Sequence, residues 1–222
     1  MVGYSFRYGM AHWVHDLVAQ GAVGDLAAIT GSIGVPAMNS GWFAEVNSGG
    51  GPLLYVGCHL IDLALWFIGE EPASVWATIS HRPDSGVDDT SAIQLEFSEG
   101  RVAQFAVTQS AAHFFYDVRI IGRSGSIALR GHNFVQFEVE VLSTAMSAYR
   151  EPTVIRPTTQ PDHITTMFMP ELADFADAVT QGRSPGVTAS DGRRVLRVLD
   201  AVQESARTRQ VSAPAPPMLA AF

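Results

Sequence analysis

The chain has 222 residues, 47% of them hydrophobic and 16% charged, which excludes a disordered chain and describes a globular protein with a real core. Twenty-two acidic residues outweigh 14 basic ones for a net charge of −8, a diffuse negative balance that argues against nucleic acid or an anionic membrane as partner. Every basic residue is arginine, so no Schiff-base lysine, lysine acid or phosphate-loop lysine can come from this polypeptide.

In chain order, "MVGYSFRY" reads as a strand over residues 1–8. Met10, Trp13, Val14, Leu17 and Val18 then recur at helical spacing until "QGAVGD" ends the run. "LAAITGSIGV" is a buried strand, and residues 36–48 are loop-like with Trp42 and Phe43 as their large side chains. Leu53, Leu54, Val56, Leu60, Ile61, Leu63, Ala64 and Phe67 predict a helix apolar around much of its circumference and therefore well buried, with Gly69 as its left-handed cap. Strands follow without interruption. "SVWATIS" leads to "TSAIQLEFS", where Ile93, Leu95 and Phe97 alternate with Ala92, Gln94 and Glu96. After the turn "SEGR", "VAQFAVTQ" places Ala103, Phe105 and Val107 on one face, and "YDVRIIG", "IALRG" and "FVQFEVEVLS" continue the pattern. One closing helix carries Phe168, Leu172, Phe175 and Val179 on a single stripe. A second, after the cap candidates Thr188 and Ser190, carries Val195, Leu199 and Val202.

Strands in an unbroken row with helices gathered before and after indicate an α+β fold: a large open-faced, mostly antiparallel or mixed sheet with helices on one face. No linker divides the chain, so one domain over residues 1–210 and a Pro/Ala-rich tail over 211–222 are expected. Cys58 is the single cysteine, the first residues lack the basic region and apolar run of a signal peptide, and "LALWFIG" is too short to cross a bilayer. A cytoplasmic protein is the expectation.

Four patterns could carry chemistry. Gly49–Gly51 opens like a dinucleotide loop, but position 54 is Leu54, so G-x-G-x-x-G is incomplete and the reading is a tight turn into a buried helix. His12 and His15 share a helix face beside Asp16, yet two ligands rarely make a metal site, and no metal is expected. Cys58 reads as a small buried hydrophobe. Tyr55, His59 and Asp62, spaced four and then three, share one helical face, where a phenol, an imidazole and a carboxylate could pass a proton to or from a hydroxyl substrate. By local pattern alone, a core histidine hydrogen-bonded to Asp62 is the commoner outcome.

The segment "SGGGPLLYVGCHLIDLALWFIGEEPASVWA" resembles the second domain of the Gfo/Idh/MocA oxidoreductases, the glucose–fructose oxidoreductase and inositol dehydrogenase group. "VGYSFRYGMAHWVHDLVAQGAVGDL" is similar to that family's interdomain strand and following helix. "VRIIGRSGSIAL" is similar to its late sheet turn, and "ELADFADAVTQGRSPGVTASDGRRVLRVLDAVQESA" to its closing helix pair. The resemblance implies a catalytic centre between two domains. A Rossmann domain holds NAD or NADP and supplies a lysine, while the second domain supplies a helical Asp-x-x-x-His pair. The histidine matches His59; the aspartate position holds Tyr55, which at an unperturbed pKa of about 10 would donate a hydrogen bond but carry no charge. Arg7 and Trp42 fall in stretches bordering the substrate pocket, and Asp62 follows the histidine, so these three are implied substrate-binding residues. The family's first domain, of about 120 residues, has no counterpart.

Two functions are therefore expected in alternative. The first is the substrate-binding and oligomerisation half of an NAD(P)-dependent oxidoreductase acting on a sugar, polyol or related hydroxyl compound. It would bind no cofactor and be inactive by itself, working with a separate Rossmann-domain partner and forming a homo-oligomer through the open sheet face. The second is a stand-alone, non-catalytic small-molecule-binding or assembly module.

Overall fold

A computed structural model describes residues 4–133, 136–157 and 164–216. Helix α1 (Met10–Ala19) precedes strand β1 (Leu26–Gly34); helix α2 (Cys58–Ile68) precedes β2 (Ser74–His81), β3 (Asp88–Glu96), β4 (Val102–Thr108), β5 (Phe115–Gly122), β6 (Gly125–His132), β7 (Gln136–Ser143) and β8 (Thr153–Ile155). Helices α3 (Met169–Gln181) and α4 (Ala189–Thr208) close the chain. All eight strands join one sheet in the order β2-β3-β4-β1-β5-β6-β7-β8. Among the described residues only β1 and β4 pair in parallel; every other neighbour is antiparallel. This is the mixed, open-faced α+β sheet that the sequence predicts. The three-residue β8 was not legible, being too short to show alternation.

Side chains alternate across the strands and divide the sheet into two faces. Ile29, Ile33, Leu95, Phe105, Val107, Val118, Ile120, Ile127 and Val141 point into the core. Val14 and Leu17 of α1, Leu60, Ile61, Leu63 and Leu65 of α2, and Val195, Leu199 and Val202 of α4 cover them. The opposite face carries polar ladders: Gln104 donates to Gln94 at 3.2 Å, and Gln94 to Glu96 at 3.1 Å. Across β5–β7, Arg130 pairs with Asp117 at 3.0 Å and Glu138 at 3.2 Å, and Arg119 with Glu140 at 3.2 Å. Trp76 stands among these groups, 45% exposed.

By length and composition alone the run Val46–Ile68 could cross a membrane, but 72% of its apolar window is buried inside the fold. It is the core helix with its lead-in turns. A helix apolar on nearly all sides needs protein or lipid on nearly all sides, and here the sheet and α4 supply protein.

One local expectation differs from the structure, and two further segments are placed by contacts that the sequence leaves open. Residues 5–7 of the expected first strand form a helical turn, Ser5–Arg7, closed by Arg7 N–H to Tyr4 O and Tyr8 N–H to Ser5 O, both 3.0 Å; residues 1–3 lie outside the described residues. The stripe Phe168, Leu172, Phe175 and Val179 faces outward, 39–67% exposed, because α3 is held by its polar side. Asp174 accepts from Tyr8 Oη at 2.9 Å and from the Gly186 N–H at 2.7 Å, and those bonds set the helix's rotation. The tail begins tied, since Ser212 and Val75 exchange backbone hydrogen bonds of 2.8 and 2.9 Å along the edge of β2; residues 217–222 lie outside the described residues. Thr188, rather than Ser190, caps α4 through a reciprocal box with Asp191.

Candidate active site

The Gly49–Gly51 loop is committed to holding the chain in place. The N–H groups of Gly49, Gly50 and Gly51 donate to the carbonyls of Val46, Glu45 and Phe43 at 3.1, 2.9 and 3.1 Å. A Cβ on Gly50 would lie 2.5–2.8 Å from the carbonyl oxygens of Phe43, Trp42 and Glu45. Gly51, at φ +106°, packs on the Asp88 carboxylate, which accepts the Leu53 N–H at 2.8 Å. A dinucleotide diphosphate needs free N–H donors. This loop offers carbonyl oxygens and a carboxylate, so the diphosphate does not fit it. Gly51→Ala combines a left-handed backbone with displacement of that capping carboxylate and is expected to cost about 2 kcal/mol, measured by urea unfolding. A loss below about 0.5 kcal/mol would show that the loop relaxes freely.

Beyond Pro52 the chain makes one wide turn, Leu53–Gly57, with i→i+5 bonding before settling into α2. That insertion alters the register between Tyr55 and His59, and the three residues expected on one face acquire three different surroundings. The Tyr55 ring meets Phe43 and Trp42 edge-on, with centroids 5.0 and 6.3 Å away. Its hydroxyl is buried without a hydrogen-bond partner among the described residues, and burial pushes the phenol up to about 12. His59 stacks face to face on Phe6, centroids 4.4 Å apart at 11°, with the Tyr4 ring perpendicular at 6.0 Å. Its Nδ1 is likewise buried and unpartnered among the described residues, and burial lowers the imidazole to about 4. The ring is neutral at pH 7.

Asp62 does not bond His59. Its carboxylate is fully buried and taken up by Arg7, whose Nε and Nη2 donate to Oδ2 and Oδ1 at 2.7 and 2.5 Å. A two-pronged guanidinium matches a carboxylate better than a single ring nitrogen does, which is why the core-histidine expectation fails. Arg7 Nη2 also reaches Asp191 at 3.2 Å, and its Cζ lies 5.6 Å from the Trp66 ring centre. Burial pushes Asp62 up to about 6 despite the guanidinium, so it is ionised at pH 7; Arg7 is raised, its two carboxylates more than offsetting its burial.

A cavity of about 800 Å³ opens beside α1, walled by Arg7, Tyr8, His12, His15, Trp66 and Asp174 among others. His15 stacks on Trp66 at 4.2 Å and 8°, and no group of three metal-ligating side chains occurs among the described residues. Tyr55, His59 and Asp62 line neither this cavity nor the approximately 390 Å³ one beneath the glycine loop. Trp42, 44% exposed, lies against Phe43, centroids 4.0 Å apart and rings tilted by 30°. Burial and the nearby Asp62 charge push the Cys58 thiol up to about 12, which removes it as a nucleophile. Sequence reasoning missed Tyr4 and Phe6, the rings that enclose His59, and Asp191, the second partner of Arg7. Aromatic residues in a supposed strand gave no signal that they would fold over a helix 50 residues on.

The family profile for the "GFO/IDH/MocA C-terminal domain" matches residues 12–128, more than half of the chain. The chain belongs to that family. A Gfo/Idh/MocA relative, D-xylose 1-dehydrogenase (NADP(+)) 2 of Haloferax volcanii, is 29% identical over 160 residues, covering 72% of this chain and 46% of the relative. Inositol 2-dehydrogenase of Rhizobium meliloti is 26% identical over 222 residues, covering 96% and 64%. Among solved structures, aldose-aldose oxidoreductase from Caulobacter crescentus, complexed with glycerol, superposes with a TM-score of 0.81 at 25% identity, covering 96% of this chain and 63% of that one. The chain thus spans less than two thirds of the length of each of these Gfo/Idh/MocA proteins.

Proposed function

We propose that this chain is the substrate-binding half of an NAD(P)-dependent oxidoreductase acting on a sugar, polyol or related hydroxyl compound. His59 is the acid/base and Tyr55 a hydroxyl donor to substrate. The observation that carries the reading is His59: a neutral imidazole with a buried Nδ1, unpartnered among the described residues, on a helix whose other buried residues are apolar except Asp62. Leaving such an atom unsatisfied costs about 1–3 kcal/mol, a cost that a substrate hydroxyl or a water would remove. At about 4 the imidazole is unprotonated at pH 7 and free to accept a hydroxyl proton, as a weaker base than an ordinary histidine, and the raised Tyr55 phenol stays protonated to donate. Trp42, exposed and edge-on to the Tyr55 ring, is the apolar wall for the reactant.

The dinucleotide belongs to a Rossmann-type half that supplies the hydride chemistry; this chain orients the reactant and handles its proton. The polar ladders and Trp76 on the open sheet face suit association with a second copy, which sedimentation velocity would report as a species above 23.9 kDa. We place the protein in the cytoplasm, in keeping with its single cysteine.

The test joins the chain to a dinucleotide-binding half. His59→Ala is expected to lower kcat at least about a hundredfold; unchanged turnover would remove His59 from the chemistry. The chain alone is expected to show no saturable NADH fluorescence change. A second reading, a non-catalytic binding module, is favoured by one feature: Tyr55 carries no charge where the family's pair has an acid. Absence of turnover with any dinucleotide half, together with saturable binding of a polyol to the chain alone, would select it.

A further inference from the structure

We propose that Arg7 is a positioning residue for His59: by clamping Asp62 and Asp191 it holds the Ser5–Arg7 turn so that Phe6 lies flat on the imidazole. The inference rests on the proton-handling role given to His59 above. It assigns to Arg7 and Asp62 a task other than the substrate contact that family resemblance implies.

A three-residue helical turn has almost no stability of its own, because its few hydrogen bonds do not repay the ordering of its dihedrals. Something outside the turn must hold Ser5–Arg7 in place. Of its three residues, Ser5, Phe6 and Arg7 are all buried, and Arg7 makes the directional contacts. Two parallel N–H···O bonds to one carboxylate fix the plane of the guanidinium as well as its distance. A third bond, from Nη2 to Asp191, prevents rotation about that pair, and Asp191 is itself locked by accepting from the Thr188 N–H and Oγ1 at 2.8 and 2.6 Å. The arginine therefore joins the N-terminal turn, α2 and the first turn of α4 at one point.

Asp62 lies three residues beyond His59, one helical turn along α2. Phe6 immediately precedes Arg7. The spacing on the helix and the adjacency in the turn together mean that the fork determines where the Phe6 ring falls relative to the imidazole. The result is the 4.4 Å stack at 11°, with Tyr116 of β5 also against Phe6, centroids 5.1 Å apart and tilted by 43°. Stability alone is a weak reason for such a group, since buried ion pairs are commonly no better than well-packed apolar residues. Orientation is what an apolar replacement could not provide.

The test is NMR on the 222-residue chain, following ring-to-ring NOEs between Phe6 and His59 and the His59 titration midpoint. The titratable groups on the elements that meet at that ring are Tyr4 and Arg7 at the turn, Tyr55, Cys58 and Asp62 on its own helix, and Tyr116 of β5 against Phe6; burial is the cause of its low value. Arg7→Lys keeps the charge and removes the fork. It is expected to weaken the NOEs and raise the midpoint by at least about one unit toward 6.5. Phe6→Leu leaves the ion pair whole and is expected to raise the midpoint similarly; it decides the matter if Arg7→Lys fails to fold. A folded Arg7→Lys chain with both readouts unchanged, or an unmoved midpoint in Phe6→Leu, would overturn the proposal. With a dinucleotide half present, Arg7→Lys is expected to lower kcat about tenfold or more with KM within about twofold. If the NMR changes occur but no turnover is ever found, the positioning role stands and the oxidoreductase reading falls. Turnover with unchanged ring geometry gives the reverse.

Discussion

Asp62→Ala is expected to destabilise the chain by about 3–5 kcal/mol, the range for removing one partner of a buried ion pair. The cost arises chiefly from what is left behind. Arg7 is 7% exposed and would keep only the 3.2 Å contact to Asp191. Two of its N–H donors would lose their acceptor and face a cavity the size of the lost carboxylate. Urea unfolding followed by tryptophan fluorescence measures the effect, and a loss below about 1 kcal/mol would mean that water or a neighbouring group replaces the carboxylate without difficulty. The exposed Glu204–Arg207 pair on α4 is the control: its removal is expected to leave stability unmoved, because solvent already screens it.

Acid should weaken the fold through His59. The folded chain keeps this ring neutral down to about pH 4, whereas the unfolded chain protonates it near 6.5. Between those values the unfolded state binds the extra proton, so stability falls as pH is lowered through the window. At about 1.4 kcal/mol per unit the loss reaches about 3 kcal/mol. Asp62 acts in the opposite sense over part of the same range. Its carboxyl is raised from 3.8 to about 6, so the folded state takes up that proton first and gains stability as pH falls. The bare stability curve mixes the two. Comparing the native chain with His59→Gln separates them: the difference in unfolding free energy should move against the native chain by about 3 kcal/mol between pH 7 and pH 4. A difference that stays constant with pH would show that the imidazole is not desolvated by Phe6 and Tyr4.

The glycine loop shows how one sequence feature supports opposite readings until backbone bonds are known. Three consecutive glycines suggest a phosphate cradle, and the missing fourth position argues against it. The structure decides by showing where each N–H goes: all three are spent on carbonyls of the preceding turns. Gly50 and Gly51 are there because backbone oxygens and the Asp88 carboxylate occupy the space that side chains would need, and Gly49 because its φ is left-handed at +79°.

By itself the sequence determined the sheet, the helices that cover it and the family, because alternation in the strands and the 3.6-residue repeat in the helices are local properties written in consecutive residues. Ile93, Leu95 and Phe97 declared their common face, Gly69 its cap, and Val195, Leu199 and Val202 their burial, before any contact was known. The same pattern singled out Tyr55, His59 and Asp62 as candidates. Only the tertiary structure decided what surrounds them. One wide turn at Leu53–Gly57 shifts the register of the helix, and an arginine 55 residues away takes the carboxylate that the histidine was expected to hold. Which acceptor a donor finds depends on distances across the fold and on competition between a planar fork and a ring nitrogen. Neither is encoded in the spacing of residues along one helix.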